Sequence, residues 1–191
     1  AIGMLSGMRL RHLVPCVTTY SAAISACEKS ARWQEALGML QGMRVCRLEP
    51  GVIAYNAAIS ACEKGAQLQA AFGLLLAMRL RNVEPDEITY SAVISSCQKT
   101  AHWHKALGVL SDMRLHHLAP GVTTYNAAVS ACVTGSKWQD ALGMFWDLRL
   151  RCLEPDAFSY NAAISACDKG ALWQTALWTL LDMPPQHVAP D

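Results

Sequence analysis

Tyr55-Asn56-Ala57-Ala58-Ile59-Ser60-Ala61-Cys62-Glu63-Lys64-Gly65 is the stretch that decides the fold, because near-copies of it begin at Tyr20, Tyr90, Tyr125 and Tyr160. In the copy at Tyr20, the apolar residues Tyr20, Ile24 and Cys27 are spaced i, i+4, i+7, which puts them on one face of an α-helix. Ala22 and Ala23 beside them let a neighbouring helix approach closely.

Outward from this stretch, everything repeats at an interval of 35 residues. Proline stands at 15, 50, 85, 120, 155 and 190, tyrosine at 20, 55, 90, 125 and 160, and alanine at 36, 71, 106, 141 and 176. The units are 17–51, 52–86, 87–121, 122–156 and 157–191, and residues 1–16 are the second half of a preceding unit. A fixed period of this length marks a stack of supersecondary units. In the first unit, a helix over about Thr19 to Lys29 ends at Ser30, and Gly65, Gly135 and Gly170 take the equivalent place in other units. Glycine there is expected to supply a left-handed helix end. A second helix over about Arg32 to Val45 carries Trp33, Ala36, Leu37, Leu40 and Met43 on its apolar face. Proline then stops it, and the Asp or Gly that follows suits the cap of the next first helix.

Helices this short are marginal alone and must cover each other. The expected architecture is all-α: a right-handed α-solenoid of stacked antiparallel hairpins, with first helices lining one face and second helices the other. The chain opens at Ala1 in mid-unit, as expected of a piece of a longer protein.

Composition narrows the function. The formal net charge is +1, a weak footprint for a nucleic-acid binder, and 52% of residues are hydrophobic. No apolar run approaches a membrane span, and no signal or transit peptide is visible. Five of the eight cysteines, Cys27, Cys62, Cys97, Cys132 and Cys167, keep the repeat interval. Equivalent residues of stacked units lie too far apart for disulfides, so these are packing residues of a reducing compartment. Cys16, Cys46 and Cys152 form no ligand pattern. His102 and His104 diverge on a helix, and with His116 and His117 define no metal site. Neither the His-x-Glu nor the Cys-x-x-Cys of a zinc deaminase occurs. Neither enzymatic activity nor a cofactor or small-molecule substrate is expected.

The unit lacks the Trp-Leu-Gly-Tyr pattern of tetratricopeptide repeats. Its Val-x-Thr-Tyr-Asn start, Ile-Ser-Ala-Cys-x-Lys-Gly helix end, Ala-Leu in the second helix and Met-Arg…Pro-Asp close resemble pentatricopeptide repeats, over the whole chain. That resemblance implies single-stranded RNA as partner, read one base per unit, in a mitochondrion or plastid, with protein partners of a larger RNA-processing assembly. It implies reading pairs Ser21 with Gly51, Asn56 with Asp86, Ser91 with Gly121, Asn126 with Asp156, and Asn161 with Asp191. The Asn-Asp pairs are expected to take uracil, since a carboxylate only accepts hydrogen bonds and favours a ring N–H. The Ser-Gly pairs have no side-chain acceptor and are expected to prefer purines only weakly, which gives the footprint 5′-R-U-R-U-U-3′. The resemblance further implies base clamps at Ile53, Ile88 and Phe158, with Thr18 and Thr123 as weaker members, and phosphate contacts at Lys29, Lys64, Lys99 and Lys169. Arg44, Arg79, Arg114 and Arg149 are read as structural, at helix ends where they complement the dipole. Asn and Asp are also ordinary helix caps, and a peptide-binding scaffold is the alternative function.

Overall fold

The computed structural model describes residues 16–183, and all structural statements concern these residues. They form ten helices: α1 Val17–Lys29, α2 Trp33–Val45, α3 Val52–Lys64, α4 Leu68–Leu80, α5 Glu87–Lys99, α6 Trp103–Leu115, α7 Val122–Thr134, α8 Trp138–Leu150, α9 Ala157–Lys169 and α10 Trp173–Asp182. The odd-numbered helices start at the first residue of each unit, two residues before the expected Thr19, because the last residue of the preceding unit is the cap. Each odd helix packs directly on the next odd helix, and each even helix lies against its own odd partner and the following one. The odd helices therefore make a continuous inner row.

The core is the repeated set that the helical spacing selects. Tyr20, Tyr55, Tyr90, Tyr125 and Tyr160 are buried, as are the five periodic cysteines. Burial pushes the Cys62 and Cys97 thiols up to about 11 and Cys132 to about 12, the behaviour of inert packing groups.

The helix ends correct one expectation. Gly65 and Gly135 have ordinary φ values of −84° and −79°, and the left-handed residue is the next one: Ala31, Ala66, Ala101, Ser136 and Ala171. The N–H of Ala66 donates to Glu63 O and that of Gln67 to Cys62 O, a Schellman closure that recurs in every unit. Glycine is needed one residue earlier because a tryptophan lies there. A Cβ at Gly65 would stand 2.5 Å from Trp33 Cδ1, and at Gly135 2.4 Å from Trp103 Cδ1. Gly170 meets Trp138 in the same way. Where the preceding unit has Leu68 instead, the place is taken by Thr100.

A polar ladder ties the even helices together. Arg79 donates to Asp112 and, at 2.6 Å, to the Tyr90 hydroxyl. Arg114 does the same with Asp147 and Tyr125, and Arg149 pairs with Asp182 beside Tyr160. The arginines are thus structural through inter-unit ion pairs, beyond any effect on helix dipoles.

Candidate nucleic-acid interface

The boundaries after units 2 and 4 each place three side chains together: the fifth residue of one unit, its last residue, and the third residue of the next. Asp86 caps α5, accepting the Thr89 backbone N–H at 2.9 Å. Asn56 reaches across from α3, and its amide donates to both Asp86 oxygens at 3.0 and 3.1 Å. The Thr89 hydroxyl lies 2.5 Å from Asn56 Oδ1 and closes the triangle. Asn126, Asp156 and Ser159 repeat this arrangement, with amide-to-carboxylate distances of 3.0 and 3.1 Å and a 2.6 Å hydroxyl contact. The aspartates are therefore caps and partners of the asparagines at once. Burial pushes both carboxyls up, but the hydrogen bonds from Thr89 or Ser159 and from the Asn amide outweigh it, so each sits below the usual carboxylate value and stays ionised at neutral pH.

This geometry leaves a defined surface for a ligand. One amide hydrogen of Asn56 is spent on Asp86, and its oxygen on Thr89. An amide nitrogen carries two hydrogens and a carboxylate oxygen two lone pairs, so Asn56 Nδ2 and Asp86 Oδ2, each bonded only within this pair, retain donor and acceptor capacity.

The Ser-Gly boundaries differ from each other. The Ser91 hydroxyl crosses to Thr124 at 2.5 Å, whereas Ser21 faces Ala54 and donates back to Val17 O of its own helix at 2.9 Å. Unit 3 also overturns the expectation that it has no side-chain acceptor. Glu87, the first residue of unit 3, reaches the last residue of the same unit, and its Oε1 accepts the Gly121 N–H at 3.2 Å. A Cβ on Gly121 would lie 2.5 Å from that oxygen, so the Glu87 carboxylate fills the space a last-residue side chain would occupy. The signal in the sequence is that Glu87 is the single acid among the first residues of the five units, the others being Val17, Val52, Val122 and Ala157.

Ile53, Ile88 and Phe158 are 74%, 62% and 51% exposed, and Thr18 and Thr123 are exposed as well. A cavity of about 280 Å³ opens on the inner row, lined by Ile88 and Thr123 from successive units together with Ser91, Glu63 and Glu87. Two clamp positions thus flank one reading residue. Asn161 is exposed, and its partner Asp191 lies outside the described residues. So do residues 1–15 of the preceding half-unit.

The lysines occupy equivalent places, but three are engaged. Lys64 pairs with Glu28 at 2.9 Å and Lys99 with Glu63 at 3.0 Å, each across a boundary. Lys169 donates to Val133 O, and Lys29 is exposed. Cys16 occupies the same last-residue place as Asp86. Hydrogen bonds first from Thr18 and then from Thr19 lower its thiol to about 6.

A helical-repeat solenoid with polar clusters at recurring places along its boundaries is a defined class, and family comparison agrees. Models described as pentatricopeptide repeat domain, PPR repeat family and PPR repeat match residues 4–64, 50–99, and 88–118 with 123–153. The chain belongs to the pentatricopeptide repeat family. No curated protein matches its sequence. Among solved structures it resembles the pentatricopeptide repeat protein PPR10 from maize, with a TM-score of 0.78 and 19% identity over 94% of this chain and 26% of that one. PPR10 in complex with an 18-nt psaJ RNA element gives 0.76 and 24% identity, over 90% of this chain and 25% of that one. The PPR domain of Arabidopsis thaliana protein-only RNase P 1, in complex with tRNA, gives 0.77 and 15% identity over 90% and 93%. The chain spans about a quarter of PPR10's length. At these identities the likeness establishes the fold.

Proposed function

We propose that this chain binds single-stranded RNA along its inner row of helices and reads one base per unit. The observation that carries this reading is the paired Asn56–Asp86 and Asn126–Asp156 clusters, built alike two units apart beside exposed clamp side chains. Each offers one donor and one acceptor. Uracil meets them with a ring N–H for the carboxylate and a neighbouring carbonyl for the amide. The bare ring nitrogens of cytosine and adenine give the carboxylate nothing to accept. The complexes of PPR10 with an RNA element and of the RNase P domain with tRNA support RNA as the ligand class. The footprint is 5′-R-U-R-U-U-3′, its last place resting on Asn161 with Asp191. Clamping between units would add the sequence-tolerant part, about 1–3 kcal/mol per base.

Fluorescence anisotropy with labelled 5′-AUAUU-3′ and single replacements tests this. Replacing the uracil at place two or place four with cytosine or adenine is expected to weaken binding about tenfold each. Asp86→Asn and Asp156→Asn, which keep a capping side chain, are expected to erase that preference at their own nucleotide alone. Equal affinity for all four bases at both places would sink the reading. Salt separates the peptide alternative: binding to single strands should fall with a slope near −0.7 per phosphate engaged. With Lys64 and Lys99 already paired, that slope should be shallow but not zero.

A further inference from the structure

We propose that unit 3 reads guanine, using Glu87 as the carboxylate that its terminal Gly121 cannot supply. The inference rests on the one-base-per-unit reading above and sharpens its third place from a weak purine to a single base. Three observations meet at this boundary. The Glu87 Oε1 is held on the Gly121 N–H at 3.2 Å, inside the volume that a side chain on residue 121 would fill. The Ser91 hydroxyl is drawn across to Thr124 at 2.5 Å, as the asparagines are drawn to Thr89 and Ser159 at the uracil-type boundaries. Both groups line the 280 Å³ cavity between the clamp residues Ile88 and Thr123, where a base would lie.

The chemistry of these groups selects among bases. One lone pair of Glu87 Oε1 is spent on Gly121, which leaves the other and the whole of Oε2. Guanine alone presents two adjacent donors, the ring N1–H and the exocyclic N2–H, to which a carboxylate can offer two parallel acceptors. If Thr124 donates to Ser91, the Ser91 hydrogen is left to meet guanine O6. Uracil offers the carboxylate one ring N–H. Adenine and cytosine turn a bare ring nitrogen towards it, lone pair to lone pair. Unit 1, with the matching Ser21 and Gly51, has Val17 where unit 3 has Glu87, and faces Ala54 where unit 3 faces Thr124. It is the built-in control: no guanine preference is expected at the first nucleotide.

The test uses the whole chain and a panel of RNAs of the form 5′-AUNUU-3′ and 5′-NUGUU-3′, with N each base in turn. Wild type should bind the third-place guanine RNA about tenfold more tightly than the adenine one, and show no such ratio at the first place. Glu87→Gln should lower the third-place ratio about tenfold while leaving the uracil preference at places two and four untouched, which shows that the variant folds and binds. Glu87→Ala with Gly121→Asp returns a carboxylate from the ordinary last-residue position and should restore guanine. Third-place preference that is absent in wild type, or unchanged in Glu87→Gln, overturns the inference while intact uracil preference leaves the parent reading standing. Loss of preference at places two, three and four in wild type overturns both.

Discussion

The boundary between units 1 and 2 and the boundary between units 2 and 3 stack the same helices with different chemistry. At the first, Trp33 lies on Gly65, Gly51 caps α3 without a side chain, and Ala77 stands where later units have an aspartate. At the second, Leu68 and Thr100 replace the aromatic contact. Asp86, Asn56 and Thr89 form a closed cluster there, and Arg79 bridges Tyr90 and Asp112. An aromatic ring on a glycine excludes water without distinguishing ligands. A hydrogen-bonded cluster at the same kind of boundary both holds the stack and presents a directional donor and acceptor. The two features are independent, since the boundary between units 4 and 5 carries both Trp138 on Gly170 and the Asn126–Asp156–Ser159 cluster, and only the polar one can carry base preference.

The largest break in this contrast is Gly65→Ala. The new methyl would meet Trp33 Cδ1 at 2.5 Å and Cγ at 3.1 Å, atoms near the root of the indole that cannot swing aside. Overpacking of this kind costs about 1–3 kcal/mol, measured by chemical denaturation. Trp33→Leu combined with Gly65→Thr copies the Leu68–Thr100 pair and should recover most of the loss, so the two sites should be strongly non-additive.

Next in size is Asp112→Ala at the second boundary. Arg79 and Asp112 are each about one-third exposed, so their pair is partly screened, yet Tyr90 and Arg79 both lose an acceptor. A loss of about 1 kcal/mol is expected. Ala77→Asp places a carboxylate at the matching position opposite Arg44 and should stabilise the first boundary by up to about 1 kcal/mol. If Ala77→Asp changes nothing, the ladder is a consequence of stacking at the later boundaries and not a cause of it.

Much of this was legible in the sequence, and what was missed has a common origin. The tyrosine, isoleucine and cysteine face follows from spacing within one helix, and those residues are buried as that spacing requires. Two of the Asn–Asp pairs implied by family resemblance, Asn56–Asp86 and Asn126–Asp156, meet in space, and Asp191 of the third lies outside the described residues. The role of Gly65 and the ladder through Arg79 and Asp112 depend on a residue of another unit, and the reach of Glu87 to Gly121 joins the two ends of one unit. Reading each unit by itself assigns Gly65 to its own helix end and Arg79 to its own dipole. Yet the cross-unit pairs leave a trace: tryptophan at 33, 103 and 138 goes with glycine at 65, 135 and 170, while Leu68 goes with Thr100. Glu87 has no such repeat, and its placement depends on a side-chain rotamer that only coordinates give.

The smallest effect separates the two reasons a helix end may want glycine. Ala66 holds φ 53° and so carries the left-handed strain, while Gly65 beside it has an ordinary φ of −84° and carries the contact with Trp33. In the left-handed region an L side chain costs roughly 1–2 kcal/mol, offset in part because glycine loses more freedom on folding. Ala66→Gly is therefore expected to stabilise by about 0.5–1 kcal/mol, opposite in sign to Gly65→Ala one residue earlier. Asn82 holds φ 54° at the end of α4, but its residue type tolerates that conformation, so Asn82→Gly should gain less. Ala101→Gly, at the equivalent place with φ 55° and with Leu68 rather than tryptophan in the preceding unit, should gain as much as Ala66→Gly. A clear difference between the two alanines would mean that the tryptophan also shapes the left-handed turn, and that steric and conformational demands at this helix end are one constraint and not two.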